Sequence, residues 1–152
     1  MRYDVAFPSG VAVEVAVKGH TIRTDQPAPL GLDSAPAPFD LFIASIATCM
    51  GFYALRFCQE RGIATVGLGL SVETVRNEEK KRLSAIRVAL TLPPGFPEKY
   101  TGAIQRAVDQ CAVKKHMIEP PAFELTVNQG DGQPAPKSPQ DRAARTTSVT
   151  PT

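Results

Sequence analysis

The sequence has little net charge, few cysteines and few histidines, and each shortage excludes something. Seventeen Lys and Arg against 15 Asp and Glu leave a formal charge of +2 over 152 residues. That bias is too small to gather a nucleic acid or an anionic membrane, so neither is an expected partner. No N-terminal stretch runs from charged to apolar in the manner of a signal peptide, and the expected compartment is the cytoplasm. The three cysteines, Cys49, Cys58 and Cys111, have no CxxC spacing. An odd, sparse set argues against a secreted disulfide framework and against structural zinc. His20 and His116 do not make a metal site, and no metal or other cofactor is expected. No internal repeat is visible.

What is present suggests one domain with a real core. From Gln129 onward the chain is Gly, Pro, Ser, Thr, Gln and a few charges. Such a segment cannot bury enough surface to order itself. The expected organisation is a folded domain over 1–128 and a disordered tail over 129–152.

The most apolar run is Pro38 to Gly62, PFDLFIASIATCMGFYALRFCQERG. Asp33 and Ser34 lie upstream as possible caps, Pro36 and Pro38 suit a first turn, and Asp40 complements the N-terminal dipole. Gly62 is a usual C-terminal stop. The helix spans roughly 35 Å at 1.5 Å per residue. Ser45, Thr48, Gly51 and Arg56 interrupt it and no basic flank sets a topology, which argues against a membrane span. Its apolar residues lie on every side, the pattern of a helix buried all round. A second copy of the chain is expected to help cover it.

Around this helix the period is two. Arg2–Phe7 is a weak strand. Val11, Val13, Val15 and Val17 alternate with Ala12, Glu14, Ala16 and Lys18 as a half-buried strand, and His20–Thr24 is a third. The proline-rich segment from Asp25 to Ala37 is a loop leading into the helix. Val66, Leu68, Leu70 and Val72 share one face, as do Ile86, Val88, Leu90 and Leu92. A charged turn over 77–81 joins the two runs into a ribbon. Tyr100, Ile104, Ala107, Val108 and Cys111 recur at helical spacing, which turns Cys111 toward the core. Phe123, Leu125 and Val127 suggest a last strand. Asp109 and Glu119 are expected at the surface. The fold class is α+β, an antiparallel sheet with helices packed on it.

Most free cysteines are inert packing. Cys58 lies about half a helical turn round from Cys49 and reads as packing. Cys49 and Cys111 are the candidates for chemistry. A nucleophilic cysteine must be a thiolate, which requires a cation or a helix terminus beside it. Cys49 lies in mid-helix, so a cation is expected to do this. The nearby Phe42, Ile46, Met50, Phe52 and Phe57 would give Cys49 an apolar surrounding.

PFDLFIASIATC resembles the P-x-E-L-…-A-…-A-x-C signature of the OsmC/Ohr family, the osmotically inducible and organic hydroperoxide resistance proteins. Cys111-Ala-Val-Lys-Lys-His-Met is similar to the family's second motif, C-P-V-x-K-x-L. The segment Gly19–Pro27, with Gly31 and Asp33, is similar to its G-H-x-x-x-x-D-x-P…G-x-D lead-in. The resemblance covers about Lys18 to Val127. It implies an OsmC-like fold and an intertwined homodimer with long central helices and interface active sites. It implies a peroxidatic cysteine matching Cys49 and a resolving cysteine matching Cys111. Organic hydroperoxides are the implied substrates and a dithiol the implied reductant.

The sequence departs from that pattern at two places. Peroxidases of the family carry a Glu after the motif's proline, which orients a catalytic Arg; here Phe39 stands there, with acidic Asp40 next. In the second motif Ala112 replaces Pro. Arg23 is the first candidate for the arginine, and Arg56, two turns from Cys49 on the same helix face, the second. Phe39, Asp40, Phe42, Ile46 and Tyr53 form the expected substrate pocket. Two functions stay open. One is a cysteine-based peroxidase for organic hydroperoxides in oxidative-stress defence. The other is a divergent OsmC-like dimer, without peroxidase activity, that binds a small apolar ligand or a partner.

Overall fold

The computed structural model describes residues 2–129, so the expected tail lies outside them but for its first residue. The described chain clusters into two compact units, residues 2–41 with 124–129 and residues 42–123.

The N-terminal unit is an antiparallel meander of β1 (Val5–Ala6), β2 (Val13–Val17) and β3 (His20–Thr24). Lys18 and Gly19, at φ 48° and 83°, form the two-residue turn between β2 and β3. Positive φ at both positions matches the twist of the flanking strands. Two residues on the non-valine side of this strand are buried. Ala12 is 5 % and Glu14 1 % exposed, whereas Val11 is 41 % exposed. A carboxylate occupies the buried side because Arg23 lies directly opposite Glu14 in the ladder and pairs with it.

The loop after β3 is wound on Asp25. Its carboxylate accepts hydrogen bonds from the backbone N–H of Gln26, Leu32 and Ser34 and from the Ser34 hydroxyl, the last at 2.6 Å. A Cβ at Gly31 would collide with the Gln26 carbonyl and the Asp25 carboxylate, so the loop closes only with glycine there.

Helix α1 runs Pro38–Glu60, within two residues of its expected end. The Asp40 carboxylate accepts from the Ala37 N–H at 2.9 Å, satisfying a free donor at the helix start. Ile46, Met50, Ala54, Phe57 and Cys58 make the buried stripe. Ala44, Thr48, Phe52 and Leu55 lie exposed along another side. A single chain therefore covers only part of the helix.

In the larger unit β4 (Gly69–Asn77) and β5 (Arg82–Thr91) pair antiparallel. Leu70 faces Leu90, Val72 faces Val88 and Thr74 faces Ile86, so the two apolar runs share a face. Val66, expected on that face, precedes the strand and is 85 % exposed. A 3-10 turn at Glu98–Tyr100 leads into α2 (Thr101–Val108), and α3 follows at Ala112–Ile118. Ile104, Val108 and Cys111 close one core with the α1 stripe, and Phe57 packs edge-on to Tyr100 with centroids 6.1 Å apart.

The strand expected at Phe123, Leu125 and Val127 does not form. These side chains are 94 %, 91 % and 86 % exposed, and the segment pairs with no strand among the described residues. A strand exists only through its ladder partners, which an alternating sequence does not supply by itself.

Candidate active site

Cys49 projects from the middle of α1, partly buried. Cys111 caps the N-terminus of α3 and is fully buried. Its backbone N–H donates to the Val108 carbonyl at 3.1 Å, which ties the cap to the end of α2. The two thiols lie close enough to shift each other's titration, so the larger unit brings together the two cysteines singled out in the sequence.

A helix start leaves backbone N–H groups without intrahelical partners. In α3 sulfur lies beside three of them. The Ala112 and Val113 N–H groups lie where they favour ionised Cys49. The Lys114 N–H donates to Cys111 Sγ at 3.4 Å. Lys115 then makes the first backbone bond of the helix, to the Cys111 carbonyl at 3.0 Å.

These neighbours push the two thiols in opposite directions. Burial raises the Cys49 pKa, but the Cys111 thiol, then the Val113 and Ala112 N–H groups, outweigh it and hold Cys49 below the ordinary cysteine value. Cys111 is raised by burial first, then by its hydrogen bond to Cys49 and by the Cys49 charge. The Lys114 and Val113 N–H groups offset this only in part. A pair whose environments separate their titrations assigns its own roles. Of the two, Cys49 is the more easily ionised and Cys111 the more firmly protonated.

The expectation that no helix N-terminus reaches Cys49 is therefore corrected. The terminus belongs to α3, not to the helix that carries the thiol. The feature was hidden because α3 is seven residues long and has a cysteine at its cap, where Ser, Thr, Asp or Asn is the usual signal.

The remaining candidates are distributed. Arg23 lies in the N-terminal unit with Nη1 3.0 Å from Glu14 Oε1. Arg56 is exposed and held by Glu60 at 2.6 Å, within its own helix. Phe39 and Asp40 lie in the first turn of α1, where Phe39 is 54 % exposed and Asp40 serves as a cap. Phe42, Ile46 and Tyr53 belong to the core around the cysteines. Ile46 and Met50 also line a cavity of about 480 Å³ with Leu90, Val108, Lys114 and Met117. Tyr53 faces a more open groove of about 780 Å³ bordered by Arg56, Arg61 and Arg106.

Cys58 is fully buried, and burial raises its thiol against the opposing charge of Arg61. It is packing, as its spacing implied. Asp109 pairs with Lys114 at 2.5 Å, and His116 Nδ1 lies 2.8 Å from the Ala112 carbonyl. Among the described residues no three His, Cys, Asp or Glu side chains cluster as a metal site.

The fold recurs in solved structures. One is a Psychrobacter arcticus 273-4 protein ascribed to osmotic stress induction and detoxification response. It is 21 % identical, with a TM-score of 0.62 over 74 % of this chain and 85 % of that one. Another is an OsmC-like protein from Mycoplasma pneumoniae, 14 % identical, with a TM-score of 0.61 over 78 % of this chain and 88 % of that one. No curated protein sequence matches. The model of the OsmC-like protein family matches residues 31–126, more than half of the sequence, including both site cysteines. The chain belongs to the OsmC-like family.

Proposed function

We propose that the protein is a thiol-dependent peroxidase that reduces organic hydroperoxides, with Cys49 as the attacking thiol and Cys111 as the resolving one. The observation that carries this reading is the meeting of Cys49 with Cys111 at the N-terminus of α3. An inert core thiol needs neither a second thiol nor a helix start beside it.

The Cys49 thiolate attacks one oxygen of the hydroperoxide. An S–O bond forms, the O–O bond breaks, and the departing alkoxide takes a proton to leave as the alcohol. The resulting sulfenic acid condenses with the Cys111 thiol; the S–S bond forms and water leaves. A dithiol then returns two electrons and two protons. The Ala112 and Val113 N–H groups stabilise the thiolate before the attack and Cys111 supplies the second sulfur. In this reading Arg23 lends further positive charge to the thiolate, and the chain works as a cytoplasmic homodimer. The exposed side of α1 and the bare Phe123–Val127 segment support the dimer.

A second reading has one observation of its own. Phe39 stands where the family's peroxidases carry Glu, and the cavity beside Ile46 and Met50 has an apolar lining suited to a small ligand. Peptide mapping separates the two. One equivalent of cumene hydroperoxide is expected to consume two thiols and link Cys49 to Cys111, with Cys58 left reduced. If both remain free at peroxide levels that oxidise a small-molecule thiol, ligand binding replaces catalysis.

A further inference from the structure

We infer that α3 is a redox-gated element: Cys111 is its N-terminal cap, so oxidation of the cysteine pair uncaps the helix and opens the buried Cys111 sulfur to the reductant. The inference rests on the peroxidase reading only for the natural oxidant, an organic hydroperoxide.

In the reduced state Cys111 Sγ caps the Lys114 N–H at 3.4 Å, and the Ala112 and Val113 N–H groups lie beside the Cys49 sulfur. Beyond this, α3 is held lightly, by partly buried Val113 against the core and by Lys115 on the Gln110 side chain. It runs for seven residues and none of them is fully buried. Met117 and Ile118 are 38 % and 68 % exposed. Its ion pair, Lys114 with Asp109, is solvent-facing, with side chains 38 % and 50 % exposed, and such pairs contribute little. So short a helix is marginal without its end contacts.

Disulfide formation changes the Cys111 cap and the Cys49 contacts together. The Cys49 thiolate loses its charge, and a charged acceptor binds N–H groups roughly twice as strongly as a neutral one. A divalent sulfur is a weak acceptor. Bonding to Cys49 also draws the Cys111 sulfur from hydrogen-bonding to covalent distance, away from the Lys114 amide. Electrons balance as in the peroxidase cycle: two pass from the thiols to the hydroperoxide, and water and an alcohol leave.

The consequence is access. Cys111 is 0 % exposed in the reduced protein. A reductant thiolate that attacks the disulfide at Cys111 must nonetheless reach that sulfur. Lys114, Met117 and Ile118 line one side of the 480 Å³ cavity, so loosening α3 removes that wall and uncovers the cap residue behind it. Reduction rebuilds the cap and closes the helix. The wall thus stands while the substrate is handled and gives way only when the reductant is required.

The test is amide hydrogen exchange on the full chain, reduced with dithiothreitol or oxidised with diamide. Diamide makes the disulfide whether or not the protein reacts with hydroperoxides, so failure of the peroxidase reading leaves this result intact. Amides over 112–118 are expected to exchange about tenfold faster in the disulfide form, the scale of one lost N-cap. Those over 54–58 in α1 are expected to stay unchanged. Reduced Cys111→Ala is expected to show the same fast exchange without oxidation. Reduced Cys111→Ser, whose hydroxyl also caps, is expected to keep the protection. Equal protection in the reduced and disulfide forms overturns the inference. So does an exchange increase spread evenly over both segments, or failure of diamide to link Cys49 to Cys111.

Discussion

Glu14 and Arg23 face each other across β2 and β3, Oε1 to Nη1 at 3.0 Å, with the carboxylate 1 % and the guanidinium 36 % exposed. The second carboxylate oxygen, Oε2, is buried with no hydrogen-bond partner among the described residues. Removing one member of a buried pair leaves an uncompensated charge. Because Arg23 is partly solvated, Arg23→Ala is expected to cost about 2 kcal/mol in urea unfolding, below the full penalty for a buried pair. Glu14→Leu with Arg23→Met is expected to recover most of it. Equal stability of Arg23→Ala and the native chain would show that Glu14 reaches solvent.

That result governs how an activity test of Arg23 is read. If Arg23 also stabilises the Cys49 thiolate, Arg23→Lys is expected to keep the fold and still slow the reaction with peroxide. Stopped-flow peroxide consumption checks this at a temperature where both proteins are folded. An unchanged rate in Arg23→Lys would leave the α3 amides as the thiolate's support.

The opposed shifts of Cys49 and Cys111 predict a pH profile. Reactivity follows the thiolate, so Cys49 alkylation by iodoacetamide is expected to rise through a midpoint below that of an ordinary free cysteine. Cys111→Ala removes the hydrogen bond that lowers Cys49 and is expected to move the midpoint upward. Cys58 is expected to react last, since burial raises it. A Cys49 midpoint at or above that of a free thiol contradicts the arrangement.

Asp25 gives an acid-side prediction. Its pKa is lowered from 3.8 to about 2, first by the Ser34 hydroxyl, then by the Ser34 and Gln26 N–H groups, with burial opposing. A carboxyl group lowered by folding stabilises the native state above its unfolded pKa, and that stability is lost as pH falls through the folded one. The 25–34 loop is therefore expected to loosen between pH 4 and pH 2. Asp25→Asn is expected to flatten that limb while lowering stability at pH 7. Loop proteolysis across this pH range provides the measurement.

Much of this architecture was legible in the sequence. The Pro38–Gly62 pattern located α1 to within two residues, because caps, stop and apolar content agree. The alternation around Leu70 and Leu90 predicted the ribbon, and the helical spacing of Ile104 and Val108 turned Cys111 inward. Three features were not legible, each for a physical reason. A period of two marks two faces of β2 without saying which is buried, and the side with Ala12 and Glu14 was the one. The Phe123–Val127 alternation needs a ladder partner that lies elsewhere in no predictable place. The amides that hold the Cys49 thiolate come from residues 112 and 113, a contact made by tertiary folding alone.

The exposed apolar surface predicts assembly. Phe52 and Leu55 of α1 are 56 % and 39 % exposed, and Phe123, Leu125 and Val127 are nearly bare. Large apolar side chains left this exposed mark an interface. Sedimentation is expected to give a dimer at micromolar concentration, and Phe52→Glu to weaken it. A stable folded monomer of the native chain would remove the dimer from the proposal.

The catalytic roles predict different failures for the two cysteines. Cys49→Ser lacks the nucleophile and is expected to consume no hydroperoxide. Cys111→Ser keeps the nucleophile and a capping oxygen for the Lys114 amide, but cannot form the disulfide. It is expected to react once and stop at a Cys49 sulfenic acid. In excess peroxide that species advances to sulfinic acid, because no neighbouring thiol intercepts it. The attack itself is expected to slow modestly, since Cys111 no longer supplies the thiol hydrogen bond that lowers Cys49. Intact-mass spectrometry with a dimedone trap reads each stage, as a single adduct at low peroxide and a gain of two oxygens at high peroxide. Repeated turnover by Cys111→Ser with a dithiol would mean that the reductant attacks the sulfenic acid directly, leaving Cys111 with capping alone as its role.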